Sequence, residues 1–137
     1  MSRRAEFSRY IPHPKEPGIL AIEIGPWFAP IFPKKEGYPC LVLDLYDRKT
    51  LQERAERDPY IPRERIPDIE EVDLVGSASE IAEIVAAHYP LSSFAYIISS
   101  HNFEHLPNPI RFLQGCAKVL KPGGYPLDGP TRCTHLF

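Results

Sequence analysis

The run Ile19-Leu-Ala-Ile-Glu-Ile24 is almost continuously apolar, is rich in isoleucine and stops at Gly25. It does not alternate between apolar and polar residues. A strand of this kind has to be buried on both faces, as in a parallel sheet covered by helices on each side. A second run of the same kind, Cys40-Leu-Val-Leu-Asp-Leu45, follows a connection holding Pro26, Pro30, Pro33, Gly37 and Pro39, which reads as loop or broken helix. Val72-Asp-Leu-Val75, ended by Gly76, reads as a short third strand, and Phe94-Ala-Tyr-Ile-Ile98 as a fourth.

Helical signals lie between these runs. Residues 47–57 form the helical start of a charged stretch, 47–71, that reads as a wet surface. Ser77-Ala-Ser-Glu80 has the form of a capping box, and Ile81, Ile84, Val85 and His88 follow on one helical stripe. His88 on that stripe is a packed or boundary residue rather than a ligand. Asn108-Pro109 opens another helix, with Ile110, Leu113, Ala117 and Leu120 as its expected buried stripe and Pro122-Gly-Gly124 as its stop. Strand and helix therefore alternate, which argues an α/β fold.

The chain has 137 residues, room for one ordinary domain. Hydrophobic residues make up 43% and charged residues 25%, a globular balance. The formal net charge of −2 gives no reason to expect nucleic acid or an anionic membrane as partner. No apolar run approaches the roughly 18 residues of a membrane-spanning helix. Cys40, Cys116 and Cys133 share no metal spacing and read as free thiols, which places the chain in the cytoplasm. Proline is in excess, 16 residues, and seven of them precede residue 40. Residues 1–18 accordingly read as an extended or loosely docked Pro-rich arm, 19–124 as the folded domain, and 125–137 as an irregular tail. Pro126, Gly129 and Pro130 argue against a further central strand in that tail. The expected sheet thus has an open edge beside the fourth strand, a route to self-association.

Ligands of such sheets bind beyond the carboxyl ends of the strands. Those ends carry Glu23 and Gly25, Asp44 and Leu45, Ser77 and Ala78, and Ser99-Ser100-His101. Asp44 follows Glu23 by 21 residues, the spacing at which nucleotide-binding folds place an acid on a ribose diol. Gly25-Pro-Trp-Phe-Ala-Pro30 lacks the later glycines of a nicotinamide dinucleotide fingerprint. His101-Asn-Phe-Glu-His105 matches an inverted zinc-protease pattern, but it follows a strand, Pro107 and Pro109 come close behind, and no third ligand is evident, so no metal is expected.

The order of these segments resembles the class I S-adenosylmethionine-dependent methyltransferases, small-molecule type. The resemblance is carried by Ala21-Ile-Glu-Ile-Gly25, Leu41-Val-Leu-Asp44, Val72 to Ala78, Tyr96 to His101, Phe103 to Pro109 and Phe112 to Gly124 with its Val-Leu-Lys-Pro-Gly-Gly close. It implies a Rossmann-like, doubly wound, mostly parallel sheet with helices on both faces, incomplete here at about four of seven strands, as in a C-terminally truncated member. It implies S-adenosylmethionine as cofactor and in-line methyl transfer to a small-molecule acceptor. Glu23, Gly25 and the adjoining Pro26 would face the methionine moiety, Asp44 the ribose diol, and Leu45, Ser77 and Ala78 the adenine. Ser99 and Ser100 would line the methionine part and the transfer site, with His101 as base for an acceptor that keeps its proton. The alternative is an inactive module that binds cofactor or a protein partner. The pattern departs from the family at Pro26-Trp-Phe28, where further glycines are usual, at Ser77, where an acid is common, and at Ala95, where the family usually has Asp.

Overall fold

Five strands run parallel in one sheet, in the order β3-β2-β1-β4-β5. The computed structural model describes residues 2–11, 13–100 and 105–129, the last seven of these as backbone alone. The strands are β1 (Leu20–Ile24), β2 (Cys40–Asp44), β3 (Leu74–Val75), β4 (Phe94–Ser100) and β5 (Leu120–Gly129). The helices are α1 (Arg3–Ser8), α2 (Arg48–Glu56), α3 (Ile81–Ala86) and α4 (Pro109–Val119). From β1 the chain moves outward through β2 to β3, then crosses back to β4 on the other side of β1. The order reverses between β1 and β4, and the register there sets Ile24 of β1 against Ser99 of β4. This is the switch point at which such sheets open a crevice. No helix among the described residues is long and apolar enough to cross a membrane.

The two faces of the sheet are buried by different partners. One face sets Ile22, Ile24, Leu43 and Leu74 against Ile81 and Val85 of α3 and Phe112, Cys116 and Val119 of α4. The other sets Ala21, Cys40, Tyr96 and Ile98 against Ile31 and Phe32 of the β1–β2 connection and Phe7 and Ile11 of the N-terminal arm. Burial on both faces explains why β1 and β2 read as unbroken apolar runs. A third cluster joins Leu51 and Ala55 of α2 to Ile66 and Ile69, with Trp27 and Phe28 packed against it. The charged stretch 47–71 is therefore wet on one side only.

Several expectations are corrected. The stretch 125–129, read as irregular tail, belongs to β5, which pairs with β4 from Leu120 onward. Along the pair, Phe94 faces Leu120 and Tyr96 faces Tyr125, so the Lys-Pro-Gly-Gly segment is taken up as a bulge. Proline is admissible because β5 is the outer strand of the described sheet. The sheet thus has five strands, not four, and the edge beside β4 is covered. Residues 130–137 lie outside the described residues.

The arm is docked. Ser2 caps α1, Phe7 and Ile11 are buried, and Arg4 forks onto Glu36 at 2.9 and 2.8 Å while also donating to the Ile31 carbonyl. The buried stripe of α4 is Phe112, Gly115, Cys116 and Val119, whereas Ile110 is 67% exposed. Gly115 explains the phase, since a Cβ there would stand 2.6 Å from Cγ2 of Ile81, so α3 packs where only glycine fits. The capping box ahead of α3 does not close reciprocally. Ser77 Oγ accepts from the Ser79 amide and opens a 3-10 turn, and α3 begins only at Ile81. His88 is exposed beyond the helix end.

Candidate functional site

The site is built from three strand ends and the loops that leave them. After β1 the chain turns at Gly25 (φ 51°), whose N–H donates to the Leu43 carbonyl at 2.8 Å. Trp27 also sits in the left-handed region (φ 57°), uncommon for a bulky side chain and costing of order 1–3 kcal/mol. The loop is pinned from below by Glu23. Its carboxylate is 2% exposed and accepts from the Ile31 amide at 3.1 and 2.9 Å and from the Phe32 amide at 3.2 Å. Burial raises its pKa to about 7, against the opposing pull of the two amides.

At the end of β2, Asp44 is half-buried. One carboxylate oxygen accepts from the Leu45 amide at 2.7 Å, and the Asp44 carbonyl accepts from the Gly76 amide at 2.8 Å. Burial raises the Asp44 carboxyl above its ordinary value, opposed by amide bonds from Leu45 and Tyr46. Gly76 turns the chain out of β3 at φ 152°, and a Cβ there would meet Cδ1 of Ile84 at 2.5 Å. The backbone angle favours glycine, and any side chain would also have to displace the tip of Ile84.

Between these ends lies a cavity of about 190 Å³, lined by Gly25, Asp44, Leu45, Gly76, Ser77, Ala78 and, from the β4–α4 connection, His105, Leu106 and Pro107. On the other side of Asp44 and Gly25 is a broader cleft of about 520 Å³, walled by Trp27, Tyr46, Leu51, Arg54, Arg57 and Asp58. Gly25 and Asp44 form the ridge between the two.

Of the sequence candidates, Gly25, Asp44, Leu45, Ser77 and Ala78 are brought together on one cavity. Glu23 is not on it; its carboxylate lies beneath the loop and serves the Ile31 and Phe32 amides. Pro26 is half-buried and gives its carbonyl to the Ala29 amide, a turn within the loop. Ser99 and Ser100 end β4 without lining either cavity. Ser99 is 2% exposed and its Oγ has no hydrogen-bond partner among the described residues, whereas Ser100 Oγ accepts from Arg3 at 3.2 Å. His101 lies outside the described residues, as does Glu104 of the histidine–glutamate pattern. Neither described thiol offers a nucleophile: burial pushes Cys40 up to about 12 and raises Cys116 as well.

Sequence reasoning missed the Tyr46–Arg54 wall and the reach of Arg3. Arg54 looked like a surface residue of the charged stretch 47–71, and Tyr46 just before it carried no signal. The ring and guanidinium in fact stack, with Cζ 4.6 Å from the ring centroid. Leu106 and Pro107 lie in the connection between β4 and α4, on the carboxyl side of the sheet, a placement that could have flagged them.

The family described as "Methyltransferase domain" matches residues 44–127. The chain belongs to the methyltransferase domain family. Solved structures show the same fold. The glycopeptide N-methyltransferase MtfA in complex with S-adenosylmethionine superposes with a TM-score of 0.59 at 18% identity, covering 93% of this chain and 52% of its own. A SAM-dependent methyltransferase from Aquifex aeolicus gives 0.55 at 16% identity, covering 92% and 62%. The trans-methyltransferase CalH in complex with SAH gives 0.53 at 19% identity, covering 82% and 32%. This methyltransferase domain thus spans about half the length of MtfA and less than two-thirds of the other two. No curated protein sequence matches it. Its incomplete Rossmann-like sheet is the α/β fold that the resemblance implied.

The site can be tested for S-adenosylmethionine by chemistry. A ribose diol needs a fixed acceptor pair, which Asp44 offers at a strand end. A purine needs a largely apolar slot, which Leu45, Ala78 and Leu106 wall. The orphaned hydroxyl of Ser99 stands across β1 from that slot, paired in register with Ile24. These residues fit the group.

Proposed function

We propose that this chain binds S-adenosylmethionine at the carboxyl ends of β1 to β4 and forms the cofactor-binding part of an enzyme that methylates a small-molecule acceptor. The convergence of Asp44 with Gly25, Leu45, Ser77 and Ala78 on one cavity carries the reading. Asp44 would accept from the ribose diol, and Leu45 and Ala78 would pack on the adenine. Ser77 would offer its hydroxyl at the adenine edge, and the Gly25 backbone would lie beside the amino-acid tail. Ser99 and Ser100 would border that tail near the transfer point. Glu23 works through the loop: by fixing the Ile31 and Phe32 amides it holds Gly25 and Pro26 in place.

When bound, the sulfonium supplies an electrophilic methyl group whose departure neutralises its charge. The residues have to align that methyl with a nucleophile and exclude water. A base is required only where the acceptor keeps its proton, and His101 is the residue we assign to that duty. The alternative is a module that binds cofactor or a protein partner without turnover.

A thermal melt tests the binding claim. S-adenosylhomocysteine should raise the transition temperature and NAD should not. A rise with NAD alone, or with neither, would overturn it. Methyl transfer by the chain then separates the enzyme from the binding module.

A further inference from the structure

The broad cleft beside the Asp44 cavity carries chemistry that the cavity does not use. Its volume of about 520 Å³ suits one small organic molecule. Trp27 walls it from a left-handed backbone (φ 57°), and backbone strain of that kind gathers at ligand clamps and active sites. The indole is held by packing against the Leu51–Ile69 cluster. Tyr46 is exposed, and the Arg54 guanidinium lies over its ring at 4.6 Å. That stack fixes the guanidinium before any ligand arrives and leaves N–H groups at its edge to donate. Arg57, three residues on at the end of α2, adds a second cation to the same cleft. Among the described residues neither guanidinium forms an ion pair. The carboxylates of the cleft are engaged by backbone instead: Asp44 accepts from the Leu45 and Tyr46 amides, and Asp58 from the Tyr60 amide.

Two aromatic rings and two unpaired guanidiniums around one space select a flat ring that carries an anion. We propose that this cleft is a second binding site, for an aromatic carboxylate, with the ring against Trp27 and Tyr46 and the carboxylate on Arg54 and Arg57. The Gly25–Asp44 ridge is the wall it shares with the cavity assigned to the cofactor. One occupant lies on each side of that ridge, so both can be held at once. The site stands on its own residues, whether or not the neighbouring cavity takes S-adenosylmethionine.

Trp27 is the chain's single tryptophan, so its indole N–H signal in an NMR spectrum reports on this cleft. The whole chain is titrated with para-hydroxyphenylacetate, with its uncharged amide, and with acetate, which has the charge without the ring. The aromatic acid should shift the indole signal saturably and bind about tenfold more tightly than either control. Arg54→Gln combined with Arg57→Gln should lower that affinity about tenfold and leave the amide's unchanged. Both residues are exposed, so the melting temperature should not move; if it falls, the comparison of acid with amide on the unsubstituted chain decides alone. No shift with the acid, equal affinity for acid and amide, or a folded double variant that binds the acid as before would each overturn the proposal. Displacement of the acid by S-adenosylhomocysteine would overturn it too, by making the cleft part of the cofactor's own cavity. If S-adenosylhomocysteine does not bind at all, the cofactor reading falls, and the acid, amide and variant comparisons still decide this one.

Discussion

Asp44 and Glu23 are both acids at strand ends, and their surroundings divide them. Asp44 is half-buried at a cavity, with its second oxygen oriented by the bond the first accepts from Leu45. Replacing it by alanine should weaken S-adenosylhomocysteine binding by about 1–3 kcal/mol, the loss of charge-assisted hydrogen bonds to a diol. Calorimetry checks this, and an unchanged affinity would remove Asp44 from the ribose. Glu23 is sealed beneath the loop and titrates near pH 7 instead of near 4.5. The folded chain therefore holds this proton more tightly than the unfolded one. Its contribution to stability is fully present below about pH 4.5 and is lost as pH rises to about 7. At about 1.4 kcal/mol for each tenfold change, the loss amounts to about 3 kcal/mol. Asp44 and Glu70 are raised by burial too and slope the same way, so the informative quantity is a difference. Glu23→Gln should flatten the fall in unfolding free energy across this window relative to the unsubstituted chain. A slope identical in both would show that Glu23 carries no such charge penalty.

The elements show how far local pattern determined the fold. β1, β2 and β4 were legible because a strand buried on both faces leaves an unbroken apolar run, and nothing shorter than a helix competes for it. The phase of α4 was not legible. Ile110-Leu113-Ala117 and Phe112-Cys116-Val119 both satisfy helical spacing, and the choice falls to α3, which approaches at Gly115. Gly115→Ala should therefore destabilise the fold by about 1–3 kcal/mol through overpacking against Ile81, although alanine is the better helix former. Urea denaturation measures it, and a stabilised variant would mean that the two helices do not meet there. β5 was missed because Pro126 and Gly129 were read as breakers; that rule applies to central strands, and β5 is an outer one. The arm was misread for the same reason, since its proline density hid the Phe7 and Ile11 anchors that bury it.

Across the whole molecule, the strand order makes the site. Reversal between β1 and β4 opens the crevice, and the strand ends that border it carry nearly all the residues singled out from sequence. Those that line the cavity, Gly25 through Ala78, sit on turns whose backbone bonds lock one strand end to the next, Gly25 to Leu43 and Gly76 to Asp44. Gly76→Ala should disrupt this lock, through backbone strain and the clash with Ile84, lowering stability by about 1–3 kcal/mol and weakening cofactor binding with it. A melt and a titration of the same variant check both effects. The broad cleft beside Trp27 and the reach of Arg3 were illegible, because each joins segments far apart in sequence through side chains that look like ordinary surface. The most direct test of the account is amide chemical-shift mapping as S-adenosylhomocysteine is titrated into the chain. The account predicts the largest shifts at Gly25, Leu45, Gly76 and Ala78, the four amides around the Asp44 cavity. Shifts confined to the α3–α4 surface, or none at saturating ligand, would contradict it.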